Sequence, residues 1–423
     1  MDTNSSEQAL RREAIRRHVQ GETRRAICRA LERSTSWFDK WWSEYRRAPQ
    51  TDFADRSRVP HTSPQQTPAP VVQAVLTARQ VLEHAATPTT RYGLIGARAI
   101  WGHLKELRVC PLPSEPTIQR ILARHQLTHA VGAGALPAYY PWPVAWEVNA
   151  IQATDIITKH IHGGEAIQNF HSIDHSSYAV WLTQHGDKTS ATACAHLRQT
   201  WAHLGLPFIH QFDNESAFCG GHTHPRVLGQ VVRLCLWCGI EPLFTPYYDP
   251  KRNYQIETFH SVWTAGCWTR QQFTNRAQVI TETPLFRHWY MYHDYPPALE
   301  GQTPAQIRRG ASPRLLTCAL RQVIPEGRLP LTAGRLHFMR YVDPDGQIEL
   351  LNETWLIGLK WRGHYVRATI HTRDQTITFW QQADAEAEWQ LLKTRCFRLE
   401  EPVHTRLPEF RRNHTRCRDC LPG

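Results

Sequence analysis

Ile151-Gln152-Ala153-Thr154-Asp155-Ile156-Ile157-Thr158 is a run of strand-favouring residues with one carboxylate set in its middle. A charge inside an apolar strand is costly unless something compensates it. Two more short strands follow, Ala166 to Ile173 and Tyr178 to Thr183, and Asp174-His175-Ser176-Ser177 joins them as a hairpin. Asp187 and Thr189 can cap a helix carrying Ala191, Ala195, Leu197, Trp201 and Leu204. After Gly205 and Pro207, Phe208-Ile209-His210-Gln211-Phe212 reads as a buried strand that ends at Asp213. An amphipathic stretch over 225–238, a short Pro242-Leu243-Phe244 strand and a loop come next. A helix then begins near Asn253 and carries Ile256, Phe259, His260 and Trp263. Three strands, helix, strand, helix, strand, helix predicts an α/β domain with a mixed sheet over 147–315.

Asp155 lies inside a strand, and Asp213 ends one, where open α/β sheets place functional side chains. Glu257 lies between Ile256 and Phe259, at the margin of a buried helix face. The three are far apart in sequence, so only the fold can gather them. Gathered, they would repel one another unless divalent cations sat among them. Oxygen ligands suit Mg2+ or Mn2+ rather than zinc. Two such ions, roughly 3.5–4 Å apart, are the usual arrangement for in-line displacement at phosphorus.

At these residues the chain resembles the integrase core shared by retroviral integrases and bacterial insertion-sequence transposases. The matching text is Thr154-Asp155, then Gly205-Leu206-Pro207 with Phe212-Asp213-Asn214, then Pro246 through Asn253 to Glu257 with Phe259 beyond. Thr303-Pro304-Ala305 is similar to the motif that often closes that core. The resemblance covers about 150–310. It implies a ribonuclease-H-like fold and an Asp155, Asp213, Glu257 triad that is both catalytic and metal-binding. It also implies double-stranded DNA, as transposon ends and target, for a partner, and a homo-oligomer of at least two chains. Three positions depart from the pattern: Glu215 stands where glycine is usual, Tyr254 follows Asn253 in place of glycine, and Thr264 replaces a common basic residue.

The flanks carry their own signals. Residues 1–50 read as a basic helix-turn-helix domain: Leu10, Ala14, Ile15 and Val19 recur at helical spacing, Gly21 breaks them, Thr23 can cap a short helix, and Ser34 and Thr35 can start a longer one. Arg11 to Arg47 holds eleven Lys or Arg against five Asp or Glu, which favours DNA. Arg24, Arg25, Thr35, Ser36 and Lys40 are its candidate DNA contacts. Lys251 and Arg252, just before the Glu257 helix, are candidates for phosphates near the reacting centre. Residues 51–70 read as a Pro-rich linker, 71–130 as a second, helix-turn-helix-like helical domain, and 131–146 as an extended connector. Over 326–400 two hairpins are expected, one turning at Asp343-Pro344-Asp345-Gly346 and one at His371-Thr372-Arg373-Asp374. Together they predict a small SH3-like barrel, followed by a basic tail, 401–423.

Net charge is +11 over 423 residues, which points to a polyanionic partner. No apolar run approaches a membrane span, and the odd, scattered cysteines suit a reducing compartment, so a cytoplasmic, nucleoid-associated location is expected. Other polar residues take plainer readings. Asp174 reads as a turn residue, Asp187 as a cap, Glu215 and Asp249 as solvated, and His260 as a packed, satisfied histidine. Cys235 and Cys238 read as buried thiols. His414, Cys417 and Cys420, with His404 and Cys396, have zinc-ligand chemistry at a spacing that short tails often reach by accident. The residues thus point to a transposase that cleaves and joins DNA strands. A DNA-binding regulator without catalysis is the alternative, and a plain nuclease ranks last.

Overall fold

The structure is a computed structural model that describes residues 3–50, 52–54, 67–85, 87–127, 139–161, 163–220, 224–247 and 249–411. Most of the linker over 51–70, residues 131–138 of the connector, and His414, Cys417 and Cys420 lie outside the described residues. Two compact units result, Met1–Thr67 and Pro68–Gly423.

The first unit holds α1 (Thr3–Val19), α2 (Arg24–Ala30) and α3 (Thr35–Arg47). Ala14, Ile15, Ile27, Phe38, Trp41 and Phe53 form its core. Ser34 starts α3 by accepting the Trp37 amide at 3.1 Å, which satisfies one of the unpaired donors of a helix end.

The second unit opens with α4 (Ala69–His84), α5 (Ala97–Glu106) and α6 (Glu115–Arg124), packed through Val75, Leu82, Ile100, Leu104, Ile118 and Leu122. Then come β1 (Ile151–His160), β2 (Ala166–Asp174), β3 (Val180–His185), α7 (Ser190–His203), β4 (Ile209–Phe212), the short α8 (Ser216–Cys219), α9 (Gln230–Trp237) and β5 (Glu241–Phe244). The helices α10 (Tyr254–Trp263), α11 (Arg276–His293), α12 (Pro304–Arg308) and α13 (Cys318–Gln322) follow. The C-terminal strands are β6 (Arg335–Tyr341), β7 (Gln347–Leu350), β8 (Glu353–Leu356), β9 (Tyr365–His371), β10 (Thr376–Gln381) and β11 (Gln390–Cys396).

One mixed sheet of nine strands runs β11-β10-β9-β6-β5-β4-β1-β2-β3. β1, β2 and β3 are antiparallel neighbours, whereas β1, β4, β5 and β6 are parallel. Side chains alternate across the sheet, so each strand serves two cores. Phe170 and Phe212 face α7 and α9 with Leu197, Trp201 and Val231. Ala153, Ile167, Ile173 and Leu182 face α10 and α11 with Ile256, Phe259, Trp263 and Phe286. The α/β expectation holds at the level of this mixed sheet.

The C-terminal expectation needs correcting. The described strands do not close a separate SH3-like barrel; β6 pairs with β5 through Leu243 and Phe244, and β9, β10 and β11 extend the core sheet. The turn at Asp343 exists, but the strand after it leaves the sheet and pairs with β8. The reason is burial: Leu336 and Phe338 of β6 join Phe244 in the main core, and a local turn signal carries no information about that distant partner. β9 and β10 do form the second expected hairpin. Among the described residues, no helix is long and apolar enough to cross a membrane. Cys235 and Cys238 are both buried.

Candidate active site

The sheet register brings Asp155 beside Asp213. Thr154 pairs with Phe212 across the parallel β1–β4 ladder, so the next residue on each strand is an aspartate. Gln211 and Asp213, like Ala153 and Asp155, point to the α10 side. α10 packs across β1 and β2 on that side and carries Glu257 in its first turn. Beneath Asp155, on the opposite face, a buried polar chain fixes the strands: Thr154 Oγ1 lies 2.6 Å from Ser172 Oγ and 2.7 Å from His210 Nε2, and Ser172 Oγ lies 2.8 Å from His196 Nε2. Arg340, from β6, holds the turn after Asp213 by donating to Asn214 Oδ1 and to the Thr245 carbonyl, each at 2.8 Å. No sequence signal marks Arg340, because its partners lie about a hundred residues away.

Electrostatics at the three acids are strained. The Asp155 side chain is 19% exposed, and burial pushes its pKa up to about 7, with Asp213, Glu215 and Glu257 adding repulsion and the Ile156 amide opposing them. Burial likewise raises Asp213 to about 6, against the Glu215 amide and Lys188. Glu257 is raised by burial and then by Asp249. Asp155 Oδ1 accepts the Ile156 amide at 2.7 Å, and Asp213 Oδ1 accepts that of Glu215 at 3.1 Å.

Among the described residues, no three His, Cys, Asp or Glu side chains are gathered closely enough to hold a metal ion. The donor chemistry nonetheless fits a hard divalent cation, because the acids offer oxygen alone.

Some neighbouring polar residues keep their sequence readings and others depart from them. Asp174 is buried and serves the turn, accepting the Asn149 amide at 2.8 Å and the Ser177 amide at 2.9 Å. Asp187 accepts the Thr189 amide at 3.0 Å beside the start of α7. Glu215 is ion-paired with Lys188 rather than simply solvated. Asp249 is not solvated either: it accepts Arg252 Nε at 2.7 Å and the Tyr365 hydroxyl at 2.6 Å. Arg252 is 6% exposed and lies over the Tyr140 and Tyr365 rings, so it pins the loop before α10; Lys251 is exposed. His260 is packed but not satisfied. Its Nδ1 is 3.8 Å from Asp155 Oδ2, beyond hydrogen-bond reach, and its Nε2 is buried without a partner. Burial, then Lys159, lowers its pKa to about 4, so it is neutral at pH 7. His171, edge-on to it at 5.0 Å between centroids, also has both ring nitrogens unpartnered.

In the first unit Arg24, Arg25, Thr35, Ser36 and Lys40 are all exposed. Arg24 is ion-paired to Asp39 at 2.8 Å, and Lys40 Nζ lies 4.6 Å from the Trp41 ring centre.

No protein-family model matches the sequence, and no curated protein matches it. Solved structures with some likeness include the HTLV-2 integrase catalytic core domain in complex with magnesium, at 17% identity over 40% of this chain and all of that one, TM-score 0.29. A simian T-cell lymphotropic virus intasome in complex with a PP2A regulatory subunit matches over 77% of this chain and all of that one, at 16% identity and TM-score 0.36. The catalytic core domain of BIV integrase matches over 38% of this chain and 93% of that one, at 16% identity and TM-score 0.26. Likeness at this level is remote, and the carboxylate geometry stands independently of it.

Proposed function

We propose that this chain is a transposase that cleaves and joins DNA strands, with Asp155, Asp213 and Glu257 as its reacting centre and a pair of Mg2+ or Mn2+ ions as cofactor. The observation that carries this reading is the register of β1 and β4, which sets two half-buried aspartates side by side under a helix bearing a third acid. Burial raises the pKa of all three, and Asp213, Glu215 and Glu257 add to the rise at Asp155.

When bound, the ions would supply polarisation of the attacking and leaving oxygens. The chain's own part is to hold them through ionised Asp155 and Asp213, with Glu257 completing the shell, and to position DNA. Water attacks phosphorus at an element end, the bond to the 3′ oxygen breaks, and a 3′-hydroxyl is freed. That hydroxyl then attacks a target phosphodiester, forming one bond to phosphorus as another breaks. No covalent protein–DNA bond is needed. Exposed Arg24, Arg25, Thr35, Ser36 and Lys40 would contact element ends through a helix-turn-helix, with Lys251 on a phosphate nearer the centre; Arg252 would act by fixing the loop. Paired ends require a homo-oligomer.

The test is magnesium-dependent strand transfer on labelled duplexes carrying the ends of the element that encodes the chain, run beside Asp155→Asn and Glu257→Gln. Joined products that both substitutions abolish would support the reading. Glu215 and Tyr254, which depart from the resembling family's pattern, favour a second reading, a DNA-binding regulator without catalysis. Tight, salt-sensitive binding with no cleavage in Mg2+ or Mn2+ would establish that one instead.

A further inference from the structure

A cavity of about 490 Å³ opens between the segment leading into β1, the start of the β2–β3 turn, and the N-terminus of α10. Its walls include Trp142, His175, Gln211, Asn253, Tyr254 and Gln255. Gln211 lies two residues before Asp213 and on the same side of the sheet, so the cavity opens on the acid-bearing side of the sheet.

Two properties distinguish it. The first is unmet hydrogen bonding. Asn253 Nδ2, Gln255 Oε1 and His175 Nε2 are all buried and without a partner, and Asn253 is 6% exposed overall. Leaving such groups unpaired costs free energy, so three at one place call for polar partners such as ordered water or a ligand. Asn253 is held in place by Gln211, whose Nε2 donates to its Oδ1 at 2.9 Å. That bond leaves the Asn253 amide NH2 to point elsewhere. Gln255 is held by donating to the Tyr178 hydroxyl at 3.1 Å, which leaves its carbonyl oxygen as a fixed acceptor. The second property is aromatic surface. Trp142 is 40% and Tyr254 49% exposed, although they pack edge-to-face with ring centres 5.0 Å apart.

We propose that this cavity receives one unpaired nucleobase of the bound DNA, at the nucleotide beside the reacting phosphate. Fixed amide donors and acceptors match the edge of a base, and exposed rings offer a stacking platform that every base can use. A phosphate is the poorer fit, because the fixed carbonyl of Gln255 would repel it and the guanidinium of Arg252 is already engaged by Asp249 and Tyr365. The inference rests on the strand-transfer reading, since it takes the ligand from the same DNA.

The experiment uses the full chain and duplexes ending in the element's terminal sequence, each with a one-nucleotide overhang that carries either a base or an abasic sugar. Wild type should bind the base-bearing overhang more tightly than the abasic one, by roughly 5- to 150-fold if one base stacks. Trp142→Ala and Tyr254→Ala should erase that ratio while leaving affinity for a blunt duplex unchanged, and Trp142→Phe should restore much of it. A 5-iododeoxyuridine overhang should photo-crosslink to Trp142 or Tyr254. Equal affinity for the two overhangs in wild type, or a crosslink mapped elsewhere, would overturn the cavity assignment. Failure to cleave any duplex while the ratio persists would sink the catalytic reading and leave the base site standing.

Discussion

Asp155→Asn should stabilise the metal-free protein at alkaline pH, against the usual expectation that altering a buried residue weakens a fold. The carboxyl titrates near 3.8 when unfolded and near 7 when folded, so the folded chain holds its proton more tightly. Stability from that proton is fully present below the unfolded value and is lost as pH rises from about 4 through about 7. Each unit of difference corresponds to about 1.4 kcal/mol, so the penalty reaches about 4 kcal/mol at pH 8 and is only about 2 kcal/mol at pH 5. Asn keeps the acceptor for the Ile156 amide and removes the charge. Urea unfolding followed by tryptophan fluorescence, without divalent ions, should therefore show Asp155→Asn more stable than wild type at pH 8, with the gap roughly halved at pH 5. Millimolar Mg2+ should stabilise wild type at pH 8 far more than the variant, because a cation favours the ionised form. A variant less stable than wild type at pH 8, or a gap indifferent to pH, would refute the account of Asp155 as a charge awaiting a counterion.

Other consequences are open to measurement. Glu257→Gln or Asp213→Asn should lower magnesium-dependent strand cleavage by at least about a hundredfold while gel-shift affinity for the same duplex stays within a few-fold. Arg252→Ala should cost about 1–3 kcal/mol of stability by stranding Asp249 and Tyr365; an unchanged thermal midpoint would show that the pin does not matter. Replacing Arg25, which is exposed, with Ala should reduce the slope of log affinity against log salt by about 1 if it touches a phosphate, and no change in slope would remove it from the DNA surface. Glu241→Gln should destabilise by about 3 kcal/mol, because Arg335, 3.0 Å from that buried carboxylate, loses its counter-charge.

The legibility of this structure in its sequence follows the range of each interaction. β1, the β2–β3 hairpin, β4 and the start of α10 announce themselves through local patterning, so Asp155 can be placed within a strand, Asp213 just past one, and Glu257 in a first helical turn. Their side-by-side register has no local signature. Nor does the fate of Asp249, whose partner Tyr365 comes from another strand altogether. β6 was readable as a strand, but its pairing with β5 is a choice between two apolar surfaces, and a Pro-Asp-Gly turn advertises the wrong neighbour. His260 shows the opposite failure: a helical apolar face predicts packing well and says nothing about whether a ring nitrogen finds a partner. The cavity beside α10 draws on four separate segments, and no spacing rule joins Trp142, His175, Gln211 and Asn253.

The β5–β6 seam makes the protein's two halves interdependent. Only Leu243 and Phe244 of β5 are paired with β6, yet that narrow join is where β5 finds cover for its outer side. A chain cut short before Arg335 would leave β5 as a bare, apolar sheet margin, with Phe244 stripped of Phe338 stacked 5.1 Å away. Such a margin recruits other strands and promotes clumping. The C-terminal strands thus act as a keeper for the acid-bearing sheet, and a fragment trimmed to the resembling region alone should aggregate where the longer chain stays dispersed.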